Sequence, residues 1–228
     1  DAELKELWES NKDTLVLEEL LYTATLMEDK ETKLAIYKKA TEVAPKCLRA
    51  HNNKGVMLYK LGKMDAAEAA FKDAKALKDH DIINNNLGAI ALKKGEVAAA
   101  KEAFTASLGA GDKVNYNLGI VNIIEGNYGA AENYFGSKAS YNAALAKYLN
   151  GDANGAWSIL SEIEMVGGMG YYMRAVVAAS QDKSEVALEN LKLAVENCGD
   201  PNWIKGRAAK DLEFAMLFET AEFKAIVE

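Results

Sequence analysis

The run His51-Asn52-Asn53-Lys54-Gly55-Val56-Met57-Leu58-Tyr59-Lys60-Leu61-Gly62-Lys63-Met64-Asp65-Ala66-Ala67-Glu68-Ala69-Ala70-Phe71 carries three markers at fixed offsets: glycine at 55, glycine at 62 and phenylalanine at 71. The same markers return as Gly88, Gly95 and Phe104, and again as Gly119, Gly126 and Phe135. The leading glycines are 33 and 31 residues apart. Repetition at such a period marks an array of small, identical supersecondary units. Each marker has a physical reading. A glycine inside a helix costs about 1 kcal/mol relative to alanine, so its recurrence implies that a neighbouring helix must approach closely there. The second glycine falls where the apolar periodicity breaks, as expected of a residue that ends a helix in the left-handed conformation. The phenylalanine belongs to a second helix, on which Ala67, Ala70, Phe71 and Ala74 share one apolar face.

Outward from this stretch the composition agrees. Half of the 228 residues are hydrophobic and only 2 are proline, which describes a folded chain without a long disordered tail. Helix-forming alanine, leucine, lysine and glutamate dominate, and alternating β-branched runs are nearly absent. The net charge is −7, with no basic cluster of the kind that holds phosphates, so nucleic acid is not an expected partner. The densest apolar run, Ile120-Val121-Asn122-Ile123-Ile124, is far too short to span a membrane. Cys47 and Cys198 are read as unpaired thiols. Asp1 in place of a methionine is compatible with a removed export segment or with a trimmed chain.

The glycine, alanine and aromatic spacing resembles the tetratricopeptide repeat, a unit of about 34 residues built from two antiparallel helices. The family's glycine falls on Gly55, Gly88 and Gly119, its second-helix alanine on Ala67, Ala100 and Ala131, and its aromatic on Phe71, Phe104 and Phe135. The resemblance implies an all-α, right-handed solenoid of about six helical hairpins with helical caps. The expected units are residues 14–47, 48–80, 81–111, 112–136, 137–167 and 168–198, the fifth being compressed. Residues 1–13 are expected to form an N-terminal capping helix. Residues 199–228 are expected to form a C-terminal cap of two final helices, with Phe214, Leu217, Phe218, Phe223 and Ile226 closing the core. Capping is required because a terminal repeat would otherwise expose its core.

No catalytic constellation is visible, and the chain is read as a non-enzymatic binding scaffold without cofactor. His51 and His80 have no second ligand at metal-binding spacing and are read as structural. Gly109-Ala110-Gly111 and Gly167-Gly168-Met169-Gly170 lack the residues that a phosphate-binding loop requires and are read as inter-repeat connections. Asparagine carries more information. Asn53, Asn86, Asn117 and Asn142 occupy one repeat position, although asparagine is a mediocre helix former.

By the resemblance this position lies on the concave face, where an amide ladder can bond the backbone of an extended peptide; bridging between neighbouring helices is the other reading. Arg49, Asn52, Val56 and Tyr59 fall on the remaining groove positions, followed by Asn85, Ala89, Leu92, Lys113, Tyr116, Ile120 and Ile123, then Tyr141, Tyr148 and Tyr172. Glu18 and Tyr22 stand where a carboxylate-gripping subtype has lysine and asparagine, which argues against that subtype. The expected partner is therefore a protein or peptide segment, with a structural spacer or an accessory domain of a larger protein as alternatives. The Val114–Ile120 stretch, the compressed unit and the aromatic C-terminal segment also resemble the repeat segment of outer-membrane-protein-A-like proteins of Gram-negative bacteria. That likeness implies a periplasmic or outer-membrane-associated location; a cytoplasmic one is the alternative.

Overall fold

The computed structural model describes residues 2–108, 111–164 and 167–228. Asp1, from the expected N-terminal cap, Gly109 and Ala110, from an expected connection, and Met165 and Val166 lie outside the described residues. All regular elements among the described residues are helical. The chain divides into two compact units, residues 1–121 and 122–228.

Unit 1 begins with α1 (Ala2–Asn11). Helical hairpins follow: α2 (Leu17–Leu26) with α3 (Lys30–Val43), α4 (Leu48–Lys60) with α5 (Met64–Leu77), and α6 (Asp81–Lys93) with α7 (Val97–Thr105). The unit boundary falls within α8 (Asp112–Ile124). The core of unit 1 gathers Trp8, Leu20, Ile36, Tyr37, Phe71, Ile83 and Ile90, with Ala40, Ala67, Ala70 and Ala74 admitting the neighbouring backbones.

The glycine–phenylalanine rule has a direct steric cause. A Cβ placed on Gly55 would lie 2.6 Å from Cε1 of Phe71, and one on Gly88 would lie 2.6 Å from Cε1 of Phe104. Carbon atoms in contact prefer about 3.5–4.0 Å. The second-helix ring therefore occupies the space of the missing side chain on the first helix. Both rings are sealed from solvent, and removing either would cost about 3–5 kcal/mol.

The turn glycines also behave as their position demands. Gly62, Gly95 and Gly126 have φ of 73°, 79° and 78°. At each, the following N–H reaches back to close the helix: Lys63 to Leu58 O, Glu96 to Ala91 O and Asn127 to Asn122 O. Gly151 (φ 89°) and Asp182 (φ 59°) close two further turns in the same way, through Asp152 to Lys147 O and Lys183 to Ala178 O. This is the Schellman closure, in which a left-handed residue lets the next N–H satisfy an orphan carbonyl.

Unit 2 contains α9 (Tyr128–Phe135), the hairpin of α10 (Tyr141–Leu149) and α11 (Ala153–Glu162), and the hairpin of α12 (Gly168–Ala179) and α13 (Ser184–Glu196). Gly167 to Gly170 forms the entry to α12. Where two final helices are expected, three helical pieces occur: α14 (Pro201–Ala208), a 3₁₀ segment (Leu212–Leu217) and α15 (Ala221–Val227). Asp200 caps α14 by accepting from Trp203 N, and Pro201 sits at the first helical position, where its missing N–H costs nothing. Phe214, Leu217 and Phe223 are buried against α12 and α13, with Phe218 and Ile226 packed beside them.

Candidate functional site

Successive first helices of unit 1 touch: α4 packs on α6. Their facing asparagines are bonded in one direction. Asn86 Nδ2 donates to Asn52 Oδ1 at 2.9 Å, and Asn117 Nδ2 donates to Asn85 Oδ1 at 2.9 Å. Asn52 Nδ2 in turn donates to Asn53 Oδ1 at 3.2 Å. The phenol of Tyr37 is pushed above its ordinary value by burial, opposed by its hydrogen bond with Asn53 and the nearby charge of Arg49. Each later asparagine thus spends one of its two amide N–H groups on the preceding hairpin. The Oδ1 atoms of Asn86 and Asn117 take no hydrogen bond from the described residues. Neither is sealed from solvent, because the only fully buried side-chain polar atoms without a partner among those residues are His51 Nδ1 and Asn84 Oδ1. The face therefore presents a row of amide carbonyl oxygens, which are acceptors, each beside the remaining N–H of its own amide.

The other unit 1 candidates surround this row. Arg49 and Lys113 are exposed, Tyr116 is 40% exposed, and Asn53, Asn85 and Tyr59 are half-buried, Tyr59 lying against the core. The asparagine pairs at 52–53 and 85–86 are visible in the sequence, but which member donates across the hairpins is not.

Unit 2 holds Asn142, Tyr141, Tyr148 and Tyr172. Asn142 is half-buried. Tyr172, expected in the groove, is instead a core side chain at 2% exposure, packed edge-on to Phe214 with ring centroids 5.9 Å apart. Its hydroxyl donates to Asp211 Oδ2 at 2.7 Å. Burial, and then the Asp211 carboxylate, hold that phenol far above its ordinary value. Half-buried Tyr148 donates to Glu213 Oε1 at 3.2 Å. Burial raises the Tyr141 phenol, against the pull of Arg207. The Arg207 guanidinium lies over the rings of Tyr172 and Trp203, 5.4 and 5.6 Å from their centroids. The residues that meet these tyrosines, Arg207, Asp211 and Glu213, were not legible as site residues. Only their place in an aromatic, charged terminal segment hinted at it.

Comparison with known proteins bears on the fold. Residues 34–82 match the family model described as tetratricopeptide repeat. A solved structure of the APC/C hetero-tetramer Cut9–Hcn1 is similar with a TM-score of 0.73 and 14% identity, over 99% of this chain and 46% of that one, so the chain spans less than half of that protein. A tetratricopeptide repeat protein from Parabacteroides merdae is similar with a TM-score of 0.66 and 16% identity, over 99% of this chain and 90% of that one. PilW, a type IV pilus biogenesis factor, is similar with a TM-score of 0.65 and 19% identity, over 88% and 92% of the two chains. Comparison with curated proteins finds no match. The fold is that of the tetratricopeptide repeat.

Within tetratricopeptide hairpins the two histidines take structural places. His80 caps α6, its Nδ1 accepting from Ile82 N at 3.2 Å. His51 is held by Nε2 against Pro45 O at 2.8 Å. Among the described residues no group of three or more His, Cys, Asp or Glu side chains could hold a metal ion.

Proposed function

We propose that the chain is a non-enzymatic scaffold whose unit 1 binds an extended protein segment across the amide-lined face of α4, α6 and α8. The observation that carries this reading is the one-way bonding of the ladder. Asn86 and Asn117 are oriented by donating to Asn52 and Asn85, and their carbonyl oxygens stay free. A peptide backbone supplies N–H donors whatever its side chains, so such a row reads a main chain and not a sequence. The same bonds favour a second reading, in which the asparagines only bridge neighbouring hairpins. The two separate by experiment. Crosslinking pull-downs from native extract would compare the wild-type chain with an Asn86→Ala, Asn117→Ala variant of equal helicity. A partner captured by the first and lost by the second supports segment binding; equal capture assigns the asparagines to bridging.

A place in the bacterial cell envelope accompanies this proposal. It takes up the resemblance read from the sequence to outer-membrane-protein-A-like repeat segments, which the comparisons do not show, and is supported by the fold shared with PilW. No helix among the described residues is long and apolar enough to cross a membrane. Fractionation of native cells, with recovery from the cytoplasm alone, would exclude that location.

A further inference from the structure

The first helices α4, α6 and α8 carry Arg49, Lys54, Lys60, Lys93 and Lys113 against only Asp81 and Asp112, in a chain of net charge −7. Both aspartates are the first residue of their helix, where unsatisfied N–H groups compensate a carboxylate. Four of the bases share the amide stripe. On α4, Arg49 lies one turn before the Asn52–Asn53 pair and Lys60 two turns after it; on α6, Lys93 lies two turns after Asn86; on α8, Lys113 lies one turn before Asn117. All four are exposed, and none makes an ion pair among the described residues. Some bases off this stripe are ion-paired: Lys39 with Asp13, Lys72 with Glu68, and Lys94 with Asp65 and Glu68. Unpaired cations therefore bracket the amide row at both edges.

We infer that the segment bound by this face is acidic, an inference that rests on the reading of unit 1 as a segment-binding face. The backbone N–H groups of the partner meet the Oδ1 atoms of Asn86 and Asn117, while its Asp and Glu side chains reach Arg49, Lys60, Lys93 and Lys113. Glu18 and Glu19 on α2 bound the basic stretch on the N-terminal side, so the carboxylates of the partner lie over α4, α6 and α8. Interfacial charges of this kind set partner choice and encounter rate more than raw affinity, and their effect is screened by salt.

The test uses the full chain and a random dodecapeptide library displayed on phage. Selections would be run with wild type, with the exposed-site reversal Arg49→Glu, Lys60→Glu, Lys93→Glu, Lys113→Glu, and with Asn86→Ala, Asn117→Ala. Wild type is expected to enrich peptides rich in Asp and Glu. The best of them should bind the reversed variant about tenfold or more weakly by fluorescence anisotropy, and should weaken on wild type as salt rises. Enrichment of neutral or basic peptides, still lost in the asparagine variant, overturns the acidic partner and leaves segment binding standing. Enrichment untouched by either variant, or no enrichment at all, overturns both. Tighter binding of a single-stranded DNA oligonucleotide than of the selected peptide also overturns the inference.

Discussion

Replacing Gly88 by alanine isolates the steric rule on which the repeat is built. The new methyl carbon would stand 2.6 Å from Cε1 and 2.7 Å from Cδ1 of Phe104. Normal contact is about 3.5–4.0 Å, so the ring has to retreat by about 1 Å. It is 0% exposed and packed on all sides, so the retreat disturbs the core. Overpacking of this kind costs about 1–3 kcal/mol. Against it stands the better helix propensity of alanine, about 1 kcal/mol at an interior position. The clash is therefore expected to match or outweigh the propensity gain, leaving Gly88→Ala destabilised by up to about 2 kcal/mol. Urea unfolding followed by circular dichroism gives the difference, and a Phe104→Leu background gives the cause. With the ring gone the alanine should cost nothing or stabilise, so the double variant lies about 1 kcal/mol or more above the additive expectation. A Gly88→Ala protein more stable than wild type, or additive effects in the double variant, would refute the steric account. Gly55 and Phe71 have the same geometry and should repeat the result.

Gly95→Ala meets no atom within 4 Å but sits at φ +79°, so it should lose about 1 kcal/mol while Gly95→Asn loses less, read as urea midpoints. Tyr172→Phe removes a 2.7 Å hydrogen bond to a carboxylate and should cost about 1.5 kcal/mol, with Asp211→Asn recovering part of the loss; an unchanged midpoint would show the bond to be idle. Asp29 caps α3 through Thr32, whose hydroxyl and N–H hold its carboxyl at about 2, below the usual 3.8. Because the folded value is the lower one, its contribution is complete above about pH 4 and fades as pH falls towards 2. Asp29→Asn should therefore flatten the loss of thermal stability in that window, and an identical acid limb in both proteins would remove Asp29 from the account.

The parts of the fold visible in the sequence are those where one atom decides. Gly88 excludes any side chain because a ring fills its place, and Gly95 is glycine because its φ is positive. Both constraints are local, so they leave a mark at a fixed offset. Asp182 shows the limit, since it makes the same left-handed turn without glycine and so breaks the pattern. The candidate site is visible in the sequence as a column of asparagines, but its hydrogen-bond direction depends on two side chains 34 residues apart, Asn52 and Asn86. Tyr172 was misplaced because helical spacing assigns it a face without saying what covers that face. The cover comes from residues far along the chain, Asp211 and Phe214.

This division of labour bears on where binding is to be sought. Second helices are held to alanine and phenylalanine by the need to enter the core, whereas the outward stripe of a first helix is free to vary. In unit 2 that freedom has been taken up internally: the hydroxyls of Tyr148 and Tyr172 already donate to Glu213 and Asp211, and Arg207 lies over two rings. An incoming segment would have to displace carboxylates tethered beside their donors, at high effective concentration. In unit 1 the bonds of the stripe run between hairpins and leave both acceptors and cations unmatched. A ligand there loses only water. A binding defect should therefore follow from changes at Asn86, Asn117 or the four bases, while Tyr148→Phe should alter stability and leave binding intact. Loss of a selected peptide on Tyr148→Phe, with the unit 1 variants still binding, would move the site to unit 2.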